Sequence, residues 1–342
     1  MASSRQKATN ENISTYGVSK DYGEGQLGNW ETDKTLDIVA AAQSEVLECY
    51  DDTADFDDTL DAAGATTNAT YFRIVRSASG EGHDGTTNVG VDFKNLTATV
   101  TWKMNEDYFQ TQDLIIRMAS TAGGAWNMWL DEVETRAIGV LVFDNDTVSG
   151  TVREFLLFSA TNPTMVNCLC DNGENTAIRI DLTGATAYIY NCTILGNASD
   201  GVQNANGTVV CKNVLSDNIG EDFEAGTYTG SVNCASGDAT SDNLPAGNHR
   251  KDQTFTFESS GGNDFHLASG DAGAKDFGAD LSSDSHFAFD DDVNDGTMGA
   301  AKAGQTFSTW DIGMDEPNPP GGADAALSVT VRRRSMQPAL RM

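Results

Sequence analysis

Carboxylates are the most abundant reactive groups in this chain, and two runs concentrate them. One holds Asp51, Asp52, Asp55, Asp57, Asp58 and Asp61; the other holds Asp290, Asp291, Asp292 and Asp295. Two carboxyls held roughly 5–10 Å apart can hydrolyse a glycosidic bond, one as acid and one as base or nucleophile. A single base beside a bound calcium and a basic residue can instead eliminate across a uronate. With 51 Asp and Glu in 342 residues, pairs at such separations arise by chance, and Asp-rich runs default to solvated turns. No catalytic residue is assigned from them. The second run places Gly296 seventh rather than sixth and Ala301 twelfth, where a calcium loop needs Glu, which excludes an EF-hand. No metal and no cofactor is expected.

The four histidines, His83, His249, His266 and His286, are scattered. His83 lies in the Gly80–Thr86 turn beside Glu81 and Asp84. General-base chemistry is conceivable there, but the simpler reading is an imidazole capping a turn. No Ser/His/Asp constellation is identifiable. The six cysteines include the pair Cys168 and Cys170 in C-x-C spacing, with no histidine nearby to complete a zinc site. They read as thiols buried as small hydrophobes. Trp102, Tyr108, Phe109, Trp126 and Trp129 could stack on sugar faces, but such residues more often fill a core or an interface.

The formal net charge of −30 argues against a nucleic-acid partner, because most of the surface repels phosphate. No run approaches the roughly 20 apolar residues of a membrane-spanning helix, so no membrane partner is expected. Residues 1–20 lack the apolar stretch of a secretory signal, and the expectation is a protein that stays in the reducing compartment where it is made.

The elements that must position these groups are short and β-like. Tyr71–Val75, Leu114–Ile116, Ile138–Phe143 and Ala187–Tyr190 are apolar runs punctuated by Gly, Asn and Asp, whereas helix signals are confined to Thr35–Glu48. Repetition selects among the all-β architectures. Asn167–Asn172, Cys192–Asn197 and Asn213–Asn218 can be superimposed, with Asn recurring after 25 and then 21 residues and an aliphatic (Leu169, Ile194, Leu215) three positions earlier. This period matches one rung of a parallel β-helix. A rung cannot bury its inward side chains alone, and stacking the next at about 4.8 Å buries them and completes the ladder. The expectation is an internal column of Leu169, Ile194 and Leu215, an Asn ladder at a bend, and eight or nine rungs over residues 71–257. A stacked cysteine column (Cys170, Cys192, Cys211, Cys234) is the weaker alignment.

Three segments then resemble a known group. Leu47-Glu48-Cys49-Tyr50-Asp51-Asp52, followed by residues 63–70 and 77–86, is similar to the opening of right-handed parallel β-helix proteins from phages and bacteria. Asp264-Phe265-His266-Leu267-Ala268-Ser269-Gly270-Asp271-Ala272-Gly273 resembles their closing segment, and Thr309–Glu316 resembles their "DIGAxE" end. The resemblance implies an all-β, right-handed parallel β-helix with short terminal extensions. Residues 1–70 would form an N-terminal segment and entry cap, 71–257 the coils, 258–316 the closing segment, and 317–342 a Pro/Gly linker with a basic tail. It also implies a non-enzymatic virion component, assembled in the host cytoplasm as a homotrimer and projecting from a capsid as a decoration or head fibre. Its partners would be capsid or tail subunits. The rival is a tail-associated protein that binds or cleaves host surface glycans. In the tail, Val329 and Val331 form a period-2 strand followed by Arg332, Arg333 and Arg334, and four of the 21 cationic residues fall in the last eleven positions. These five residues are the candidate anchor to an acidic neighbouring subunit.

Overall fold

The computed structural model describes residues 8–52, 55–83, 85, 89–95, 100–118, 126–144, 153–158, 161–171, 175–197, 199–224, 226–239, 243–259, 264–289 and 310–314. They build a parallel β-solenoid of about five turns, each complete turn contributing one strand to each of three faces. The first face starts with Glu11–Tyr16, Ser44–Cys49 and Arg73–Ser77 and continues through Gln110–Gln112, Arg136–Ile138 and Thr164–Val166. The second face is a seven-stranded sheet running from Asp92–Asn95 to Ala235–Ser236. The third contains Leu60–Ala63, Val100–Asn105, Trp126–Leu130 and Arg153–Phe158. Two long strands, Ile178–Tyr190 and Val202–Lys212, bend from the third face into the first, with register shifts at Asp181 and Thr186 where they turn.

Along the second face the paired positions Ile115, Leu141, Leu169, Thr193, Leu215 and Ala235 lie 26, 28, 24, 22 and 20 residues apart. The spacing grows from 20 to 28 residues between Ala235 and Leu141, then falls to 26 and, from Ile115 back to Asp92, to 23. This is why the repeat blurs upstream in the sequence; the complete turns number about five and not eight or nine because the described residues of 213–256 add strands to the second face alone.

The aliphatic column needs correction by one residue. Leu169 stacks on Thr193 and Leu215, while Ile194 stacks on Cys170 and Ser216. Strand side chains alternate faces, so a slip of one position sends them to opposite sides. Cys170 and Ile194 point into the main core, whereas Leu169 and Leu215 belong to a second cluster on the outer surface. The bend absorbs the slip at Gly196, whose φ is +67°. Asn197 then reaches Asn218 as expected, donating from Nδ2 to Oδ1 at 2.7 Å. Asn172 lies outside the described residues.

A second asparagine column turns the corner between the first and second faces. Asp113, Gly139, Asn167, Asn191, Asn213 and Asn233 occupy corresponding positions, all with φ between 47° and 61°. Left-handed backbone costs an ordinary residue about 1–2 kcal/mol, and Asn or Gly tolerates it best. The corner therefore selects these residue types.

Inside, the lumen is filled with aliphatic and aromatic side chains and with all six cysteines, each of them buried and free. Position 168 lies over position 192, one step before the Leu169–Thr193 pair, so Cys168 and Cys192 stack, a pair outside the cysteine alignment, while Cys234 contacts Cys211, a pair within it, through its thiol and the Cys211 carbonyl at 3.4 Å. The Cys168 thiol donates to the Val166 carbonyl and that of Cys192 to the Tyr190 carbonyl. A short helix, Leu27–Asp33, adds Leu27 and Trp30 to the core at its N-terminal end. The fully buried Arg73 guanidinium ties this helix to the coils. It contacts both Glu106 carboxylate oxygens, the Ala63 carbonyl at 3.1 Å and Glu31 Oε1 at 3.3 Å.

The C-terminal residues run back along the outside as a strap. Phe265, Leu267, Ala274, Ile312 and Met314 cover Leu141, Leu169 and Leu215 on the second face. Leu281, Phe287, Phe289 and Trp310 cover Ile138, Val166 and Tyr190 on the first. Asn213 fixes the strap from its corner position: its Nδ2 donates to the Ala279 carbonyl at 2.8 Å and its Oδ1 accepts from the Ala279 N–H at 2.7 Å. Replacing Asn213 with Ala removes both bonds and places a Cβ-bearing residue of poor tolerance in left-handed backbone, with an expected loss of about 2–4 kcal/mol. Asn213→Gly keeps the backbone and loses only the bonds, so it falls about 1 kcal/mol short of that loss. Urea unfolding of the two variants checks this order; equal losses would mean that the corner imposes no conformational demand.

Candidate functional site

The first acidic run is engaged in local structure. Asp58 Oδ2 accepts from the Tyr16 hydroxyl at 2.9 Å and from the Leu27 N–H at 3.0 Å. The Asp52 carboxylate receives the Val18 N–H, and Asp55 faces Lys94 at 3.7 Å. Asp61 stands exposed on the third face, and Asp51, Asp52, Asp55 and Asp57 are exposed as well. The second run, Asp290–Asp295, lies outside the described residues, as do the tail residues Val329, Val331, Arg332, Arg333 and Arg334.

The histidines are likewise structural in their contacts. The buried His83 ring sits between the Gly139 carbonyl on one nitrogen and the Gly85 N–H, 3.3 Å from the other. His249 Nδ1 accepts from the Cys234 N–H at 3.1 Å, His266 contacts Asp264, and His286 lies in the strap. No three His, Cys, Asp or Glu side chains come together as a metal-binding group among the described residues.

The aromatics divide. Trp102 and Phe109 are fully buried in the lumen, and Tyr108 packs against the Val46–Phe72–Ile74 cluster. Trp129 instead sits half-buried on the outward side of the third face, whereas Trp126, also half-buried, shares the inward parity of Met128 and Leu130 at the start of the strand. The register places Asp61, Lys103 and Trp129 in one outward column, which continues through position 156 to Arg179 and Gln203. Consecutive members are one coil apart, about 4.8 Å.

Lys103 Nζ lies 5.0 Å from the centre of the Trp129 ring, within cation–π range. At the end of that strand, Asp131 has its carboxyl pushed up to about 6, first by burial and then by Glu132 and Asp61, against the opposing pull of Lys103. Burial also raises Glu132. An aromatic face, a cation and two carboxyls of raised pKa thus converge on one stretch of sheet. Such a set can hold a pyranose ring, whose C–H face packs on the indole while its hydroxyls bond to the charged groups. Lys103 and Asp131 were not recognised as site residues from the sequence, because only the register brings Lys103 beside Trp129 from 26 residues away.

No family model, no curated protein and no solved structure matches this chain.

Burial raises three further carboxyls elsewhere. Asp92 is pushed up to about 7 by burial, with Arg117 opposing at 2.7 Å and Asp55 adding to the rise. Asp222, buried in the bend beside Asn218, is raised to about 6 although it accepts from Asn218 and from the Gly237 and Asp238 N–H groups. Asp311, within the strap and accepting the Asp276 N–H, is raised to about 7, again by burial first. An unfolded Asp titrates near about 3.9, so between that pH and the raised values the folded state binds more protons, and stability falls as pH rises. The melting temperature is therefore expected to climb by several degrees from pH 8 to pH 5. A lower melting temperature at pH 5 in a calorimetric scan would refute this assignment.

Proposed function

We propose that this chain is a structural component of a phage virion: a stiff, non-enzymatic appendage, of the capsid-decoration or head-fibre kind, attached through residues 317–342 to capsid or tail subunits and assembled in the host cytoplasm. The observation that carries this reading is mechanical. A filled lumen, parallel ladders through about five turns and an external strap make a rod whose strands are mutually paired, which suits a projecting arm. The strongly negative charge keeps such particles apart in solution. The opening and closing segments add the resemblance to phage and bacterial β-helix proteins, and that group also suggests a homotrimer.

A second reading has its own observation. The Lys103–Trp129–Asp131 set favours a tail-associated protein that binds host surface glycans along the third face. On that reading Trp129→Ala weakens glycan binding about tenfold, the equivalent of about 1.4 kcal/mol, and leaves folding intact.

One experiment separates the readings. Purified particles are probed for the chain by mass spectrometry with and without residues 317–342, and the purified protein is incubated with capsular and lipopolysaccharide glycans. The structural reading expects incorporation that depends on the tail and no shortening of glycan. Turnover of glycan would end it, and so would absence of the chain from particles.

A further inference from the structure

We propose that residues 279–289 of the strap form an acid-released arm, latched by His286, whose opening uncovers the outward column of Ile138, Val166 and Tyr190. The device acts on the solenoid itself and holds whether or not the chain belongs to a virion.

The latch is built from contacts on three successive strands of the first face. The His286 ring lies flat on Tyr188, with centroids 3.4 Å apart and planes 11° from parallel, and edge-on to Tyr190 at 6.4 Å. Its Nε2 is 3.0 Å from Thr164 Oγ1. Behind it, Phe287 packs under the Arg136 guanidinium at 5.2 Å, and Phe289 meets Trp310 edge-on at 5.7 Å.

The charges around the ring leave a proton on it poorly matched. Arg136 approaches from the Arg136–Ile138 strand and Lys212 from the end of Val202–Lys212. The two nearest anions are already engaged. Asp284 contacts the Lys212 ammonium and receives the His286 and Phe287 N–H groups at 3.0 and 3.1 Å. Glu134 accepts from Asn162 at 2.9 Å and faces Arg136 at 3.3 Å. Burial first, with Arg136 and Lys212, holds the imidazole below its ordinary value, and Glu134 and Asp284 compensate only in part. On opening, the ring returns to about 6.5. The open form thus gains the proton first as pH falls, and each unit of depression multiplies the opening equilibrium by ten.

The neighbouring joint responds in the other direction. Gly278 pairs with Trp310, the Ile312 N–H donates to the Ala274 carbonyl at 3.1 Å, and the raised carboxyl of Asp311 becomes neutral on acidification. Acid therefore tightens the strap at residues 271–278 while it frees the arm beyond them.

Hydrogen exchange followed by mass spectrometry, corrected for the intrinsic pH dependence of exchange, tests this on the full chain at pH 7.5 and 5.0. The opening equilibrium of residues 279–289 is expected to be larger at pH 5.0 than at pH 7.5, while residues 271–278 gain protection. His286→Phe keeps a ring on Tyr188 that cannot be charged, and its arm should not respond. An equal response in His286→Phe, or none in the natural chain, overturns the proposal. Should His286→Phe fail to hold the arm at pH 7.5, the titration of His286 in the natural chain by NMR decides: a midpoint below 6.5 supports the latch, and one at or above 6.5 refutes it.

Discussion

Every coil of this molecule is incomplete without the next. A single turn leaves one edge of each strand unpaired and its lumenal side chains open at top and bottom, and only superposition of a following turn removes both deficits. The requirement is strict about direction and position. Backbone must leave the first face and enter the second at the same place in each turn, which requires a residue that accepts left-handed backbone at every repeat. The column from Asp113 to Asn233 meets that demand, and strand lengths, loop lengths and residue types elsewhere vary around it.

This explains what was legible in the sequence and what was not. Short apolar runs, sparse helix signals and recurrent Asn sufficed for an all-β solenoid, and the Asn197–Asn218 ladder lies where the repeat placed it. The strand register did not follow, because the repeat was anchored on the bend and a one-residue adjustment at Gly196 separates bend from strand. In a strand that single step exchanges inside for outside, so Leu169 and Ile194 part company. The helix Leu27–Asp33 is not legible because its sequence, with Gly28, Asn29 and Asp33, has weak helix propensity. The helix is held by burial of Leu27 and Trp30 and by its tie to Arg73. The candidate site was only half visible: Trp129 announces itself by type, but Lys103 and Asp131 acquire meaning from a register that no local pattern reveals.

The electrostatics divide in the same way. Composition alone gives the excess of acid, but which carboxyls feel it depends on burial. Asp58 caps a helix start, Glu106 is matched with a guanidinium in the core, and Asp92, Asp222 and Asp311 are held where ionisation is costly. Removing either member of a buried pair such as Arg73–Glu106 strands the other, and costs of about 3–5 kcal/mol are usual for such changes.

The strap has a mechanical consequence. Solenoids generally unravel from an end, because each turn touches only its neighbours. Here Met314 bonds to Thr193, Ala279 to Asn213, and His286 to Thr164, so three consecutive turns are bound to one common filament. The last turns cannot peel away singly while that filament is seated, and tension along the rod is carried across several turns in shear. The molecule behaves as a laced column, with an end that does not fray.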